Sequence, residues 1–296
     1  MDKNVVIEAE NLTKIYRTSF SKYQVKALDN LNIKVNRGEI FGFLGPNGSG
    51  KTTTMKILLG LLTQTSGDAW VLGKQSTDVA VKDRIGFLPE ESYLYRFLSA
   101  EETLDFYGRI FKIPRKERQK RIGALIELLG LGHARKRQVR EYSKGMARRL
   151  GFAQALINDP EVIFLDEPTS GLDPLVARQV KDIILDLKRQ GKTIFMSSHL
   201  LADVENICDR IAILHLGKLQ KVGSVKELIS SREVFDIGVK GLNQAALESI
   251  KGLIAKNGGE VVSVQPAAET LEALFIRTIS AGPSGSGEKP DSDKVE

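Results

Sequence analysis

Cysteine is nearly absent. Cys208 is the only one, which excludes an intramolecular disulfide framework. It falls in an apolar helical pattern, Leu200–Asp209, and reads as a core residue. No run approaches the ~18–20 apolar residues that a membrane-crossing helix needs. The chain is therefore expected to form no transmembrane pathway by itself. Met1-Asp2-Lys3-Asn4 does not open the basic-then-apolar pattern of a signal peptide, so a cytoplasmic location is expected. Aromatic residues make up only 6% of the 296. They do not alternate with basic ones, so stacking on single-stranded nucleic acid is not suggested. There is no long heptad run either.

What is present is a soluble globular composition with a net charge of +6. The excess is uneven. Residues 109–149 hold 14 Lys and Arg against 3 Asp and Glu. Such a cluster can face nucleic acid, an anionic membrane surface or bound phosphates, or be a solvated helical face.

One stretch organises the rest: Gly45-Pro46-Asn47-Gly48-Ser49-Gly50-Lys51-Thr52, of the form G-x-x-x-x-G-K-[ST]. Ile40–Leu44 before it reads as a buried strand, and Thr53–Leu59 after it as a helix. Glycines let backbone amides turn inward around phosphate oxygens, where a Cβ would clash. The helix start adds unpaired amides and a positive dipole end. Lys51 would bring a point charge to the β- and γ-phosphates, and Thr52 a hydroxyl to Mg²⁺.

Around it the pattern is α/β. Val5–Glu8, Leu31–Val35, Asp68–Leu72 and Arg84–Leu88 read as strands, with a polar loop over Arg17–Lys26. Tyr16, just before that loop, is placed to stack on a nucleotide base, and Tyr23 is a second candidate. Ser99-Ala100-Glu101-Glu102 is a capping box. It opens an all-helical insertion over 91–141, which holds most of the basic cluster. Ser143 is a plausible N-cap for a helix over 147–157, so Tyr142-Ser143-Lys144-Gly145-Met146 makes a second anion site.

Glu161–Glu167 reads as a buried strand ending in two acids, at the end of the sheet where open α/β folds place ligands. Asp166 suits Mg²⁺, directly or through water, and Glu167 suits orienting or deprotonating a water. Asp173 and Pro174 start a helix that stops at Gly191. Thr193–Ser197 is a strand with His199 at its end, positioned to reach the same site. Ile211–Leu216 reads as the last strand of this domain, and Ser224–Glu227 as a second capping box. From Val234 a βαβα pattern follows: strand 234–239, helix 243–256, strand 260–264, helix 268–279. Residues 281–296 are expected to be disordered.

Taken together, GPNGSGKT at 45–52, YSKGM at 142–146, VIFLDEPTSGLD at 162–173 and SSH at 197–199 resemble the nucleotide-binding subunit of an ABC transporter over most of residues 4–228. The resemblance implies a P-loop NTPase of the ABC ATPase type, with a helical subdomain (91–157) inserted in an α/β core spanning 1–230. A small C-terminal accessory domain (231–280) and a tail would follow. It implies ATP and Mg²⁺, and a homodimer that sandwiches two ATP molecules. Residues 45–53, Thr53 included, would hold the phosphates, and Tyr16 would stack on the base. Thr52, Asp166 and Glu90 would hold the metal. Glu167 would be the catalytic base and His199 the γ-phosphate sensor. Ser143, Lys144, Gly145 and Met146 would close on the ATP of the opposite subunit, with Asp173 in the contact between sites.

Two departures stand out. Glu90 replaces the family's usual glutamine, and YSKGM replaces the common LSGGQ. These variants resemble the bacterial exporter branch in which ATPase and permease are separate chains. The expectation is an ATPase peripheral to the inner face of the membrane, driving a separate permease, with no nucleic acid partner. The alternatives are an ABC-type ATPase acting on ribosome or nucleic acid, or an ATP-gated regulatory dimer of low turnover.

Overall fold

The computed structural model describes residues 4–17, 24–229, 239, 241 and 243–264. The chain divides into two compact units, 1–230 and 231–296. In the first, β1 (Val5–Arg17) and β2 (Gln24–Asn36) precede β3 (Ile40–Leu44) and α1 (Lys51–Leu58). Then come β4 (Ser66–Val71), β5 (Lys74–Gln75) and β6 (Ile85–Leu88). The helical block holds α2 (Ala100–Ile110), α3 (Arg115–Leu128) and α4 (Lys144–Leu156). After it come β7 (Val162–Asp166), α5 (Pro174–Arg189), β8 (Thr193–Ser198) and α6 (Leu201–Ile207), followed by β9 (Arg210–His215), β10 (Lys218–Ser224) and α7 (Val225–Ile229). The second unit shows α8 (Gln244–Lys256), capped by the Asn243 side chain on the Ala246 amide.

Two sheets carry the first unit. One is antiparallel, in the order β2-β1-β4-β5. The other runs β10-β9-β3-β8-β7-β6, parallel except for its antiparallel edge β10. Strand alternation sorts the parallel sheet's side chains onto two faces. Phe41, Phe43, Phe164 and Phe195 lie on the face towards the antiparallel sheet, packed with Ile7, Leu31 and Leu58. Their rings meet at 5.2–5.8 Å between centroids. Ile163, Leu165, Ile194 and Met196 lie on the other face, with Val180, Ile184 and the helical block. Gly42 also faces that side, where a Cβ would press on Val204 and Cys208 at 2.7 and 2.8 Å. Cys208 is buried, and burial raises its pKa, so the core reading holds.

Several sequence expectations change. The loop over Arg17–Lys26 is shorter, because β1 and β2 pair as far as Arg17 with Gln24. Polar residues suffice there, since ladder hydrogen bonds do not depend on side chains. Ile211–Leu216 is not the last strand of the domain: β10 follows and pairs with it, unseen in the sequence because it has no clean alternation and is largely exposed, as an edge strand can be. Residues 260–264 are irregular rather than a strand, and Glu260, Val262, Ser263 and Val264 are exposed. Tyr23, most of strand 234–239, helix 268–279 and the tail fall outside the described residues.

The helical block starts at the Ser99 capping box, which forms with both reciprocal bonds, 3.2 and 2.8 Å. Part of the basic cluster is consumed internally. Arg118 and Arg109 bind Asp105, Arg121 binds Glu117, and Arg135 binds Glu101 with two bonds at 2.7 and 2.8 Å.

The Arg135 bond holds the Glu101 carboxyl below the usual glutamate range. Arg84 and Arg37 do the same for Glu161, where β6 meets β7. The folded chain therefore binds these protons less tightly than the unfolded one. The stability they add is complete above the usual glutamate value of 4.5 and is lost as pH falls through their lower folded values. Replacing Glu101→Gln should cost about 1 kcal/mol at neutral pH and flatten the acid limb of a urea-midpoint profile. An acid limb as steep as wild type would contradict this.

Candidate functional site

The loop 45–50 joins β3 to α1, and its glycines serve different needs. A Cβ at Gly45 would collide with Ser49 Oγ and the Leu214 carbonyl. Gly48 and Gly50 sit at φ 80° and 106°, which disfavour side chains. Gly50 is the N-cap of α1 and supplies no side chain to it, leaving the helix start open to an anion. Ser49 Oγ is buried without a hydrogen-bond partner, as a cradle for a polar ligand would leave it. Pro46, Asn47, Gly48 and Thr52 are exposed. Thr53 is half-buried, and its hydroxyl lies 3.5 Å from that of Tyr16. Tyr16 thus stands over the start of α1, with Lys14 Nζ 5.3 Å from its ring centre.

β3, β8 and β7 are adjacent and parallel, so their C-terminal ends converge beside this loop. Lys51 Nζ donates to the Gly45 carbonyl at 2.6 Å and lies 3.6 Å from Glu167 Oε1. Glu167 Oε2 is 2.8 Å from His199 Nδ1. Asp166 Oδ1 accepts from Ser197 Oγ at 2.6 Å, and the same hydroxyl accepts the Glu167 amide at 3.0 Å. Both acids are buried, 5% and 7% exposed. They end the strand as expected, yet sit within the protein's polar network rather than in open solvent. Glu167 also has a left-handed backbone, φ 47°, uncommon for a residue with a side chain.

A second cluster gathers at the start of α4. Ser143 is its N-cap and accepts the Met146 amide at 3.2 Å. Gly145 is buried against Val176. The Lys144 ammonium fills the space where a Cβ on Gly171 would go. Asp173 caps α5 through the Val176 amide at 2.9 Å. The structure thus groups residues 143–146 with the 171–176 turn. Glu90, just beyond β6, is exposed.

Three features go beyond the sequence reading. Ser197 is one strand residue among several, and only register places it beside Asp166. Lys181, Asp203 and Thr169 form a buried chain that joins α5, α6 and the turn after β7. Arg148 is buried whereas Arg149, adjacent and chemically alike, is half-exposed. A basic residue on the apolar face of α4 was the available signal.

The arrangement offers cations and amides for phosphate, carboxylates for a metal or a water, and one imidazole against a carboxylate. Ser197 underlies both acids. Replacing Ser197→Ala strips one donor from buried Asp166 and leaves the Glu167 amide unpaired. That should cost about 2 kcal/mol in denaturant unfolding and lower turnover. A variant as stable and active as wild type would refute the placement.

Comparison with known proteins places the chain in a family. The family model described as ABC transporter matches residues 28–170. An uncharacterized ABC transporter ATP-binding protein of Synechocystis sp. is 50% identical over 283 residues, covering 93% of this chain and 80% of that protein. The fluoroquinolones export ATP-binding protein of Mycobacterium tuberculosis is 41% identical over 229 residues, covering 77% and 73%. A dimeric structure of the ATP-binding cassette MJ0796 in a post-hydrolysis state, bound to ADP and Pi, superposes with a TM-score of 0.68 at 26% identity, covering 74% and 98%. The chain belongs to the ATP-binding subunits of ABC transporters, a family of ATPases.

Proposed function

We propose that this chain works as one half of a head-to-tail homodimer that binds and hydrolyses two ATP molecules and drives a separate permease for export. One observation carries the reading. A single chain holds two anion-binding helix starts in different clusters, one with Lys51, Asp166, Glu167 and His199, the other with Ser143 to Met146. Two such starts serve two ATP molecules if a second copy faces the first. The MJ0796 cassette, solved as a dimer, supports pairing of two copies.

The residue roles follow from chemistry. Residues 45–53 would cradle the phosphates, with Lys51 as the point charge and Tyr16 against the base. Glu167 would accept the proton of the attacking water. His199, bonded to the same carboxylate, would orient it and reach the γ-phosphate. Ser143 and Gly145 would close on the partner's ATP, Lys144 and Met146 would flank them, and Asp173 would lie between the two sites. Thr52, Asp166 and Glu90 would hold Mg²⁺. Bound Mg²⁺ supplies neutralisation of charge on the β- and γ-phosphate oxygens.

For the permease, the helical block offers a surface. Tyr93, Tyr95, Phe97, Phe106 and Ile110 are exposed, and the Tyr95 and Phe106 rings meet edge-on at 5.5 Å. A groove of about 320 Å³ beside them is lined by Tyr93, Leu94, Arg96, Val139 and Arg140, among others. Exposed aromatics rimmed by arginine suit a cytoplasmic helix of a membrane protein. Among the described residues no helix is long and apolar enough to cross a membrane. The chain would sit on the inner face of the membrane, with unpaired basic residues of the block near anionic headgroups. The relative named for fluoroquinolone export supports the direction.

Glu167→Gln should lower turnover by at least about 100-fold and leave an ATP-bound dimer that persists on size exclusion. A variant that stays monomeric in ATP would sink the sandwich. Purification of the chain from gently solubilised native membranes should recover a polytopic membrane protein at comparable stoichiometry. Recovery of ribosomal proteins or nucleic acid instead would overturn the transporter reading.

A further inference from the structure

Arg148 lies on the second turn of α4 and is only 6% exposed. A guanidinium has five N–H donors in a planar fork. All five find main-chain carbonyls. Nε donates to Pro168 at 3.1 Å. Nη1 donates to Pro89 and, at 2.8 Å, to Glu90. Nη2 donates to Asp166 at 2.8 Å and Glu167 at 2.9 Å. Burial lowers its pKa to about 10, against the pull of Asp166, Glu90 and Glu167. It therefore stays charged at neutral pH.

The five carbonyls belong to two places. Asp166 is the last residue of β7, and Glu167 and Pro168 follow it. Pro89 and Glu90 lie just beyond β6. The helix that holds the guanidinium begins at Ser143. One side chain thus ties the second anion site to the acids of the first. It also holds the left-handed non-glycine residue of that site. Glu167 is a non-glycine residue at φ 47°, a conformation that persists only where the surroundings over-determine it. Its amide is held by Ser197 and its carbonyl by Arg148. With both ends of the residue fixed, its carboxylate is aimed at His199 Nδ1 and Lys51 Nζ.

We propose that Arg148 is a positioning residue for ATP hydrolysis: it fixes Glu167 in its left-handed conformation and links the Ser143 helix to the base. The inference rests on Glu167 being the base. Arg148 touches no phosphate-binding side chain, so it acts on the aim of the carboxylate and not on ATP affinity.

The test is Arg148→Lys in the full chain, which keeps the charge but has three donors and no fork. Turnover should fall about 10- to 100-fold, as misplacement of a catalytic group does, with KM for ATP within about twofold. In a Glu167→Gln background the same change should lower residual turnover by less than about twofold, because both act through one carboxylate. Arg148→Gln, which removes the buried charge, should show the same kcat-against-KM split if the lysine variant folds poorly. The proposal fails if Arg148→Lys turns over within twofold of wild type, or if the loss appears in KM. It also fails if the two changes multiply in the double variant, as a purely structural role would require. Wild-type turnover in Glu167→Gln alone would remove the base itself and with it the route by which Arg148 acts. Loss of turnover there beside a normal Arg148→Lys would remove only the present inference.

Discussion

The structure depends on keeping four charges out of water at one end of one sheet. Lys51, Arg148, Asp166 and Glu167 are all buried. A buried charge is tolerated only when neighbours replace most of its hydration. Here the replacement is divided. Lys51 takes loop carbonyls, Arg148 takes carbonyls from two strand ends, Asp166 takes the Ser197 hydroxyl, and Glu167 takes His199. This works because β3, β7 and β8 are parallel neighbours and finish on the same side. An antiparallel arrangement would scatter these groups to opposite edges.

Much of that scaffold is legible in the sequence, because its signals are local. A strand, a glycine loop and a helix sit in one run of about twenty residues, and the acids follow an unbroken apolar strand. Caps at Ser99, Ser143, Asp173, Ser224 and Asn243 appear where short polar residues precede helical periodicity. Burial on both faces of the parallel sheet makes its strands read as apolar runs. What stays hidden is set by register and by long-range packing. Ser197 meets Asp166 across β7 and β8. Glu101 meets Arg135 over 34 residues. β10 and the ends of β1 and β2 are held by ladder bonds that polar side chains neither help nor prevent. Residues 260–264 show the reverse case, a β-like composition with no strand pairing among the described residues.

The site itself divides along the same line. Residues whose chemistry is exposed to a ligand can be named from the sequence, because the ligand's needs fix residue types: small backbone at the loop, a cation beside phosphate, carboxylates for metal and water. Residues that hold those groups in place cannot, because any donor with the right reach would serve. Arg148 and Arg149 differ by one position and by about 100° around α4, and that rotation alone separates a five-carbonyl clamp from a half-exposed side chain.

The rotation has a consequence for coupling. The N-terminus of α4 and the end of β7 are joined through Arg148 by bonds that all run to backbone, so a shift of the helix start would be felt at Glu167. In a head-to-tail pair, Ser143 would report on the partner's ATP and Glu167 on its own. Each nucleotide would then bias the base that acts on the other, through one helix and one guanidinium. No larger rearrangement of the sheet is needed, because the strand end already holds Glu167 in a conformation that its backbone would leave if released.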